Sequence, residues 1–492
     1  MPTTMRLRSS ARRFDWRRLP TELRLMILEE ITQQTGSSDW ASAAAVCKEW
    51  QHFIEKRKLQ RLNLRVPDLD NRERLTIRQR NLVRHISLDI ELPTYKSSDS
   101  EPWGWSDRNS LVMSKGTWKL FHILSTWEPA NGNGLTLELN AFSPSDSEHW
   151  FKNYHFVSDP ESGQSNDCQW HDESHGWING QQVETPPKSA ILRLFELVSL
   201  DFDKEFPRVN AIRRFIIRRQ FRRWIDALDL SEMLEKLCGL EQLVYEPWRP
   251  WDSKWRELRD KDFSLSVQRE LPETLKSITV FEDFSRNLAA ACPWVESSRV
   301  LDAGVGTAFA RRSLELEHLS VSYMTDAAHF FQGCMPLGQH SDRESWTWQH
   351  LQSLALTSRG LRRTGNRREI NALLVQAASV ALRMPKLHTL VLWHDTDACA
   401  FIYTWDPARG ARITWRGTWE LDLDVDVVQM WQSVATKVHS CELEVFNERV
   451  DGVIRSHGDA IHHLRLPCQV ATPASIWQIR QEHKETGTHN EA

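Results

Sequence analysis

One short hydrophobic pattern recurs along most of the chain. In each copy an apolar residue is followed by two free positions, a second apolar residue, one free position and a third apolar residue. The clear copies begin at residues 212, 240, 275, 316, 351, 387 and 461, and weaker copies begin at residues 83 and 135. Apolar residues at alternating positions in a short segment indicate a β-strand with a buried face. The pattern therefore predicts many short strands.

Helical patterns lie between several of these copies, as in EMLEKLCG before Leu240 and EINALLVQAASVALRM before Leu387. The copies from residue 212 to residue 387 start 28 to 41 residues apart, which leaves room for one strand and one helix. This series resembles leucine-rich repeats, whose strands line the concave surface of a solenoid. The copies are longer and less regular than standard repeats, and a mixed α/β domain with a parallel sheet explains the same pattern. The predicted fold class is α/β.

The N-terminal segment has a different, helical pattern. From Glu22 onward, LRLMILEEI places Leu23, Met26 and Ile27 on one helix face, whereas Leu28 lies nearly opposite. A second helix is expected to begin after Asp39 and to continue through ASAAAVCKEWQHFIEKRK. About forty residues in such short helices are too few for an independent core, so these apolar faces predict a partner surface.

The same segment resembles an F-box. The residues that carry the resemblance are Leu19, Pro20, Leu23, Ile27, Leu28, Val46, Cys47 and Trp50. An F-box is a three-helix module that docks on the Skp-type adaptor of a cullin-RING ubiquitin ligase, while the rest of the chain binds a protein substrate. The resemblance implies that Leu19 and Pro20 contact the adaptor and that Ile27, Val46 and Trp50 belong to the small core or its rim.

Two later segments, YEPWRPWD at residues 245–252 and VFEDFSR at residues 280–286, resemble the C-terminal regions of uncharacterised fungal F-box proteins. Polar, aperiodic stretches separate the patterned parts of the chain and predict loops. The predicted organisation is a disordered basic arm at 1–13, an F-box at 14–62, a linker with the first strand-helix units at 63–157, a flexible insertion at 158–189, a substrate-binding repeat domain at 190–475 and a disordered tail at 476–492.

Composition excludes several classes of protein. The net charge is only −4, so nucleic acid is not the expected partner. The eight cysteines form no close pairs, which is typical of a reducing compartment. No signal peptide and no apolar run long enough to span a bilayer is visible, so we expect a cytoplasmic or nuclear protein without a membrane partner.

No catalytic motif is visible, and we predict a non-enzymatic protein without cofactor or metal. Two segments have ligand-type residues: CQWHDESH, with Cys168, His171 and His175, and HDTDAC at residues 394–399. The first lacks a fourth zinc ligand nearby, and residues such as those of the second more often cap a helix.

Substrate contacts are expected at free positions of the predicted strands, because these positions line the binding face of a repeat protein. The candidates are Arg213, Arg214, Glu241, Gln242, Glu317, His318, His388, His462 and His463. Two alternatives remain. One is an interaction scaffold that feeds no ligase, and the other is an RNA-binding protein that uses the six arginines of IRRFIIRRQFRRW at residues 212–224.

Overall fold

The structure is a computed structural model that describes residues 16–34, 40–72, 75–96, 103–128, 134–148, 177–178, 181–182, 184–202, 205–251, 253–292, 300–335 and 346–486. The chain divides into two compact units. The first unit comprises Met1–Leu62 and Leu75–Arg84, and the second comprises Asn63–Arg74 and His85–Ala492. The predicted arm at 1–13, the CQWHDESH segment and residues 487–492 lie outside the described residues.

The first unit is helical. Its helices are α1 (Thr21–Gln34), α2 (Trp40–Ala44), α3 (Lys48–Gln60) and the short α5 (Ile77–Arg80). The prediction of one continuous second helix was wrong, because the chain breaks between α2 and α3. The amides of Ala45 and Val46 bond to carbonyls three residues back, and Cys47 is extended, with φ −162°, at the N-cap of α3.

Contacts around Glu49 hold α1 and α3 together. Its carboxylate accepts hydrogen bonds from Trp16 Nε1 and Arg24 Nη1, each at 3.0 Å. The rings of Trp16 and Trp50 pack with centroids 5.3 Å apart. The buried apolar side chains described on these helices are Leu28 on α1 and Ile54 and Leu59 on α3.

Among the described residues, eleven of the twelve strands of a large sheet lie wholly in the second unit, and the strands follow one another in nearly sequential order, β1-β2-β3-β7-β9-β10-β11-β12-β13-β14-β15-β16. These strands are β1 (Arg61–Arg65), β2 (His85–Glu91), β3 (Leu135–Phe142), β7 (Ile212–Ile217), β9 (Gln242–Tyr245), β10 (Ser277–Phe281), β11 (His318–Ser322), β12 (Ser353–Thr357), β13 (Thr389–His394), β14 (Cys399–Asp406), β15 (Gly410–Gly417) and β16 (Leu443–Arg449). Strands β2 to β13 pair in parallel, whereas β14 is antiparallel to both its neighbours. The fold is mixed α/β with a mostly parallel sheet.

Two further pairs of short strands lie outside this sheet: β4 (Trp177–Ile178) with β5 (Gln181–Gln182), and β6 (Leu197–Val198) with β8 (Trp224–Ile225).

Eight of the nine predicted strands are confirmed, because every copy of the pattern from residue 83 to residue 387 contains a strand of the sheet. The copy at residue 461 is wrong, since it lies in a helix, His457–Leu464. Ser456 caps this helix by accepting a hydrogen bond from the amide of Asp459. Ile461 and Leu464 are three residues apart and therefore lie on one helix face. The first two apolar positions of the strand pattern have this same spacing, so the pattern also fits a helix.

The helices of the second unit lie mostly between consecutive strands. They are α4 (Leu69–Arg72), α6 (Trp103–Leu124), α7 (Lys188–Leu194), α8 (Ala227–Glu235), α9 (Ser253–Arg269), α10 (Arg286–Ala291), α11 (Ala303–Arg312), α12 (Ala327–Gly333), α13 (Arg367–Ala381), α14 (Val425–His439), α15 (His457–Leu464) and α16 (Pro473–Thr486). Side chains of Asp226, Ser285, Asp326 and Asn366 accept backbone hydrogen bonds at the starts of α8, α10, α12 and α13. Short polar residues after a strand thus start the following helix. None of the described helices has the length and hydropathy of a membrane span.

Helices cover both faces of the sheet. On one face Tyr245 packs against Phe263 of α9, and Phe401 and Tyr403 pack against Trp431 of α14. On the opposite face, α15 and α16 pack on side chains that include Phe281, Val391 and Trp393. Residues 476–486, expected in a disordered tail, therefore belong to a packed helix, and its Ile479 is fully buried.

Candidate interaction surfaces

A line of polar side chains crosses the sheet near the start of its parallel strands. Strand pairing brings one residue from each of eleven strands into register. We call these residues the polar row: His85, Thr136, Arg214, Gln242, Ser277, His318, Ser353, Thr389, Thr404, Arg412 and Glu444. Adjacent strands are about 4.8 Å apart, so the row is roughly 48 Å long.

Every member of the polar row is exposed or half-buried. At one end of the row His85 Nε2 lies 3.0 Å from a carboxylate oxygen of Glu138, and at the other end Arg412 and Glu444 form an ion pair at 3.0 Å. Burial lowers the pKa of Arg214, and the neighbouring charge of Arg218 lowers it further. The row thus presents hydrogen-bonding groups of both signs along one line.

The structure brings together three of the predicted substrate residues, Arg214, Gln242 and His318, because all three belong to the polar row. Three members of the row, Ser277, Ser353 and Thr389, were not among the predicted substrate residues, although each occupies the same third position of its copy of the pattern. That shared position was the signal available in the sequence.

The other predicted substrate residues lie elsewhere. Arg213 precedes its row residue by one position, so it faces the opposite side of the strand and donates to the carbonyl of Gly239 at 2.9 Å. Glu241 pairs with Lys276 at 3.2 Å. His388 stacks on Trp405 with ring centroids 5.2 Å apart. Glu317, one residue before His318, is half-buried.

His462 and His463 were predicted at free positions of a strand, and this placement was wrong. Both lie on α15, so neither belongs to the sheet. Their rings lie 5.2 Å apart, and neither is fully buried.

The arginine-rich segment is largely internal. Arg219, Arg222 and Arg223 are each 2% exposed. Arg223 forms a bidentate pair with Asp146, and Arg218 Nε lies 3.1 Å from Glu138. Burial lowers the pKa of Arg222 to about 10. The RNA-binding alternative needs these guanidinium groups at the surface, whereas the structure turns most of them inward, where carboxylates neutralise them.

Arg219 is the centre of a buried ion network. Its guanidinium pairs with Asp283 and, at 2.8 Å, with Glu482 of α16. His457 Nε2 lies 2.7 Å from the other oxygen of Asp283. Burial alone would raise the pKa of Asp283, but Arg219 and His457 outweigh burial and lower it to about 2. This network joins the C-terminal helices to the ends of β7 and β10.

The first unit exposes apolar side chains of α1. Leu23, Met26 and Ile27 lie at helical spacing and are 45%, 62% and 38% exposed, and we call them the apolar patch. Val46, in the turn before α3, is 62% exposed. Ile27 and Val46 were expected in the small core or at its rim; both are exposed, and Leu28 is the buried residue of this part of α1.

The other four F-box-type residues differ in their exposure to solvent. Pro20 and Cys47 are exposed, whereas Leu19 and Trp50 are half-buried. Trp50 reaches the ring of Trp16, so it contributes to packing within the unit.

HDTDAC forms the connection between β13 and β14. His394 Nδ1 accepts a hydrogen bond from the amide of Thr396 at 3.2 Å, and Cys399 Sγ lies 3.2 Å from the carbonyl of Leu361. These contacts use the side chains to shape a turn. Within the described part of the chain, no cluster of histidine, cysteine or acidic residues could hold a metal ion.

Residues 270–472 match a family described as a family of unknown function (DUF6546). The matched region contains β10 to β16 and ends just before α16. No curated protein matches the chain.

Proposed function

We propose that this protein is an F-box substrate-recognition subunit of a cullin-RING ubiquitin ligase. Its first unit would dock on a Skp-type adaptor, and its second unit would bind a protein substrate. The observation that carries this proposal is the exposed apolar patch on α1, in a helical unit with the F-box-type residues.

Exposed apolar side chains at helical spacing are typical of a docking face. Full burial of a Leu, Ile or Met side chain contributes about 1.5 to 3 kcal/mol, so three such residues can supply much of a stable interface. The exposed Pro20 lies at the start of the same helix. An adaptor that covers this face needs no change in the packing of Leu28.

The polar row supports a substrate-binding role for the second unit. The sequential order of the strands favours an irregular leucine-rich-repeat-like array, in which corresponding strand positions form one continuous binding line. Hydrogen-bonding groups of mixed charge favour a folded or extended protein partner over nucleic acid. No catalysis is required, because holding a substrate beside the ligase raises its effective concentration.

Adaptor binding is tested with a double variant, Met26→Asp with Val46→Asp. Both side chains are exposed, so we expect an unchanged free energy of unfolding. Because two apolar contacts are replaced by desolvated charges, we expect at least a roughly 100-fold weaker affinity for a Skp-type adaptor. The measurement is calorimetric titration of the adaptor into the full chain, together with co-purification after co-expression.

The matched control is Val453→Asp, which changes a 69% exposed valine of the second unit and should leave adaptor affinity unchanged. Equal adaptor affinity of the wild type and the double variant would reject this docking face. Adaptor binding without recruitment of a cullin would instead support the scaffold alternative.

Substrate binding is tested by replacing Gln242, His318 and Thr389 with alanine. These side chains are exposed or half-buried, so each change should alter the free energy of unfolding by less than about 0.5 kcal/mol. Proteins that accumulate when the chain is absent should return to normal abundance with the wild type but not with this triple variant, as measured by quantitative proteomics. Arg409→Gln, in an exposed turn, is the control. Full restoration by the triple variant would contradict the assignment of the polar row.

A further inference from the structure

A cleft of about 520 Å³ lies at the carboxyl ends of the parallel strands, at the opposite end of the sheet from the polar row. Its wall contains Arg249 after β9, Arg286 after β10, Tyr323 after β11, Arg359 after β12 and Asp395 after β13. This volume suits a small organic molecule. The carboxyl end of a parallel sheet is also where α/β proteins commonly bind ligands.

The charges that line the cleft are mainly positive. They are the guanidinium groups of Arg249, Arg286, Arg359 and Arg362 and the carboxylates of Asp326 and Asp395. Both carboxylates are already engaged. Asp326 accepts hydrogen bonds from the amides of Ala328 and Arg359, at 2.9 and 2.7 Å, and Asp395 pairs with Arg286. Among the described residues, the Arg362 guanidinium has neither a hydrogen bond nor an ion pair.

The other walls of the cleft are apolar and aromatic. Trp248 packs on Phe195 with ring centroids 5.2 Å apart, and Phe284 lies beneath the guanidinium of Arg249, 4.3 Å from its ring centroid. Leu288, on α10, completes the same hydrophobic cluster. An apolar group in the cleft can therefore contact this hydrophobic wall while its charged end reaches the arginines.

Two further residues of the wall are Tyr323 and Thr325. Tyr323 has a left-handed backbone, with φ +66°, which is costly for an aromatic residue, and the hydroxyl of Thr357 accepts a hydrogen bond from its amide at 2.8 Å. Thr325 is 1% exposed. In the part of the chain that the structure describes, neither the Tyr323 hydroxyl nor Thr325 Oγ1 has a hydrogen-bond partner.

From the cationic rim and the apolar wall, we infer that the cleft binds a small organic anion, with a carboxylate or phosphate beside Arg359 and Arg362 and an apolar portion against the wall that contains Trp248, Phe284 and Leu288. This inference concerns the second unit alone and does not depend on the proposed ligase function.

The test compares charged probes with their neutral counterparts by calorimetric titration of the full chain at constant ionic strength. The charged probes are benzoate, 1-naphthoate and phenyl phosphate, and the neutral ones are benzamide, 1-naphthamide and phenol. Inorganic phosphate tests the anion without an apolar body. We expect the best charged aromatic probe to bind at least tenfold more tightly than both its neutral counterpart and inorganic phosphate.

The variant Arg362→Gln should weaken binding of that charged probe about tenfold and leave its neutral counterpart unchanged. Arg409→Gln, an exposed arginine in the β14–β15 turn, should change neither affinity. Equal affinity for charged and neutral probes, an unchanged affinity in Arg362→Gln, or no saturable binding of any probe would overturn the inference. Adaptor binding is measured separately on the first unit's variants, so failure of one proposal is distinguishable from failure of the other.

Discussion

Removal of residues 473–492 is expected to lower the free energy of unfolding of the second unit by roughly 5 kcal/mol or more, because it deletes a buried apolar contact and removes partners of two buried ionisable groups. Ile479 is fully buried in the cluster under α15 and α16. The helix also supplies Glu482, which pairs with the buried Arg219.

Glu246, fully buried at the end of β9, is the second group that depends on this helix. Its carboxylate accepts hydrogen bonds from the hydroxyl of Ser475 and from the amide of Thr472, the latter at 2.6 Å. Burial raises the pKa of Glu246, and these hydrogen bonds oppose that rise. Without Ser475 the carboxylate retains fewer donors in a dry site, which destabilises the folded state.

Denaturant unfolding of the purified chain, followed by circular dichroism, measures this effect. The matched control removes only residues 487–492, which follow the last residue of α16, and should leave the unfolding midpoint unchanged. If both truncations unfold at the wild-type midpoint, then α16 is dispensable, as the prediction of a disordered tail would require.

The substitution Arg219→Met is expected to cost about 3 to 5 kcal/mol, because it leaves two carboxylates without their buried cation. Asp283 is fully buried, and Arg219 is 2% exposed, so solvent cannot replace the lost partner. The comparison is Arg449→Met, since Arg449 and Asp451 form an ion pair whose side chains are 71% and 91% exposed. Loss of such an exposed pair should cost less than about 1 kcal/mol. Similar costs for the two variants would contradict the central role of Arg219.

Acid titration gives a second measure of the same network. The pKa of Asp283 is about 2 in the folded protein and near its ordinary value of 3.8 in the unfolded chain. The folded state is therefore stabilised above pH 4, and this contribution disappears as the pH falls from about 4 to about 2. Arg219→Met removes the main favourable charge, so its free energy of unfolding should fall less across that interval than that of the wild type.

The strands were the most predictable part of the fold. A strand that is buried on at least one face needs alternating apolar residues. Eight segments of this chain meet that requirement, and all eight contain strands of the sheet. At residue 461 the same spacing also fits a helix face, and the cap at Ser456 together with packing against α16 decided for the helix. Periodicity over six residues cannot distinguish a strand from a helix when both structures would bury Ile461 and Leu464.

Residues of the candidate sites were predictable only where the same position of the strand pattern recurs from copy to copy. Arg214, Gln242 and His318 could be chosen as free positions, because strand alternation is a local property of the chain. The cleft at the other end of the sheet could not be found in this way, since Arg249, Tyr323 and Arg362 belong to three separate connections.

By itself the sequence determined the α/β class, the eight strands β2, β3, β7 and β9 to β13, and the helical character of the N-terminal segment, because periodicity and capping act over a few residues. Only the tertiary structure decided which side chains are buried. It turned Arg219 and Arg223 inward to meet carboxylates far away in the chain, left Met26 and Val46 exposed, and made α16 part of the core. The physical reason is that burial of a charge or of an apolar face depends on partners brought close by folding, and no local pattern encodes them.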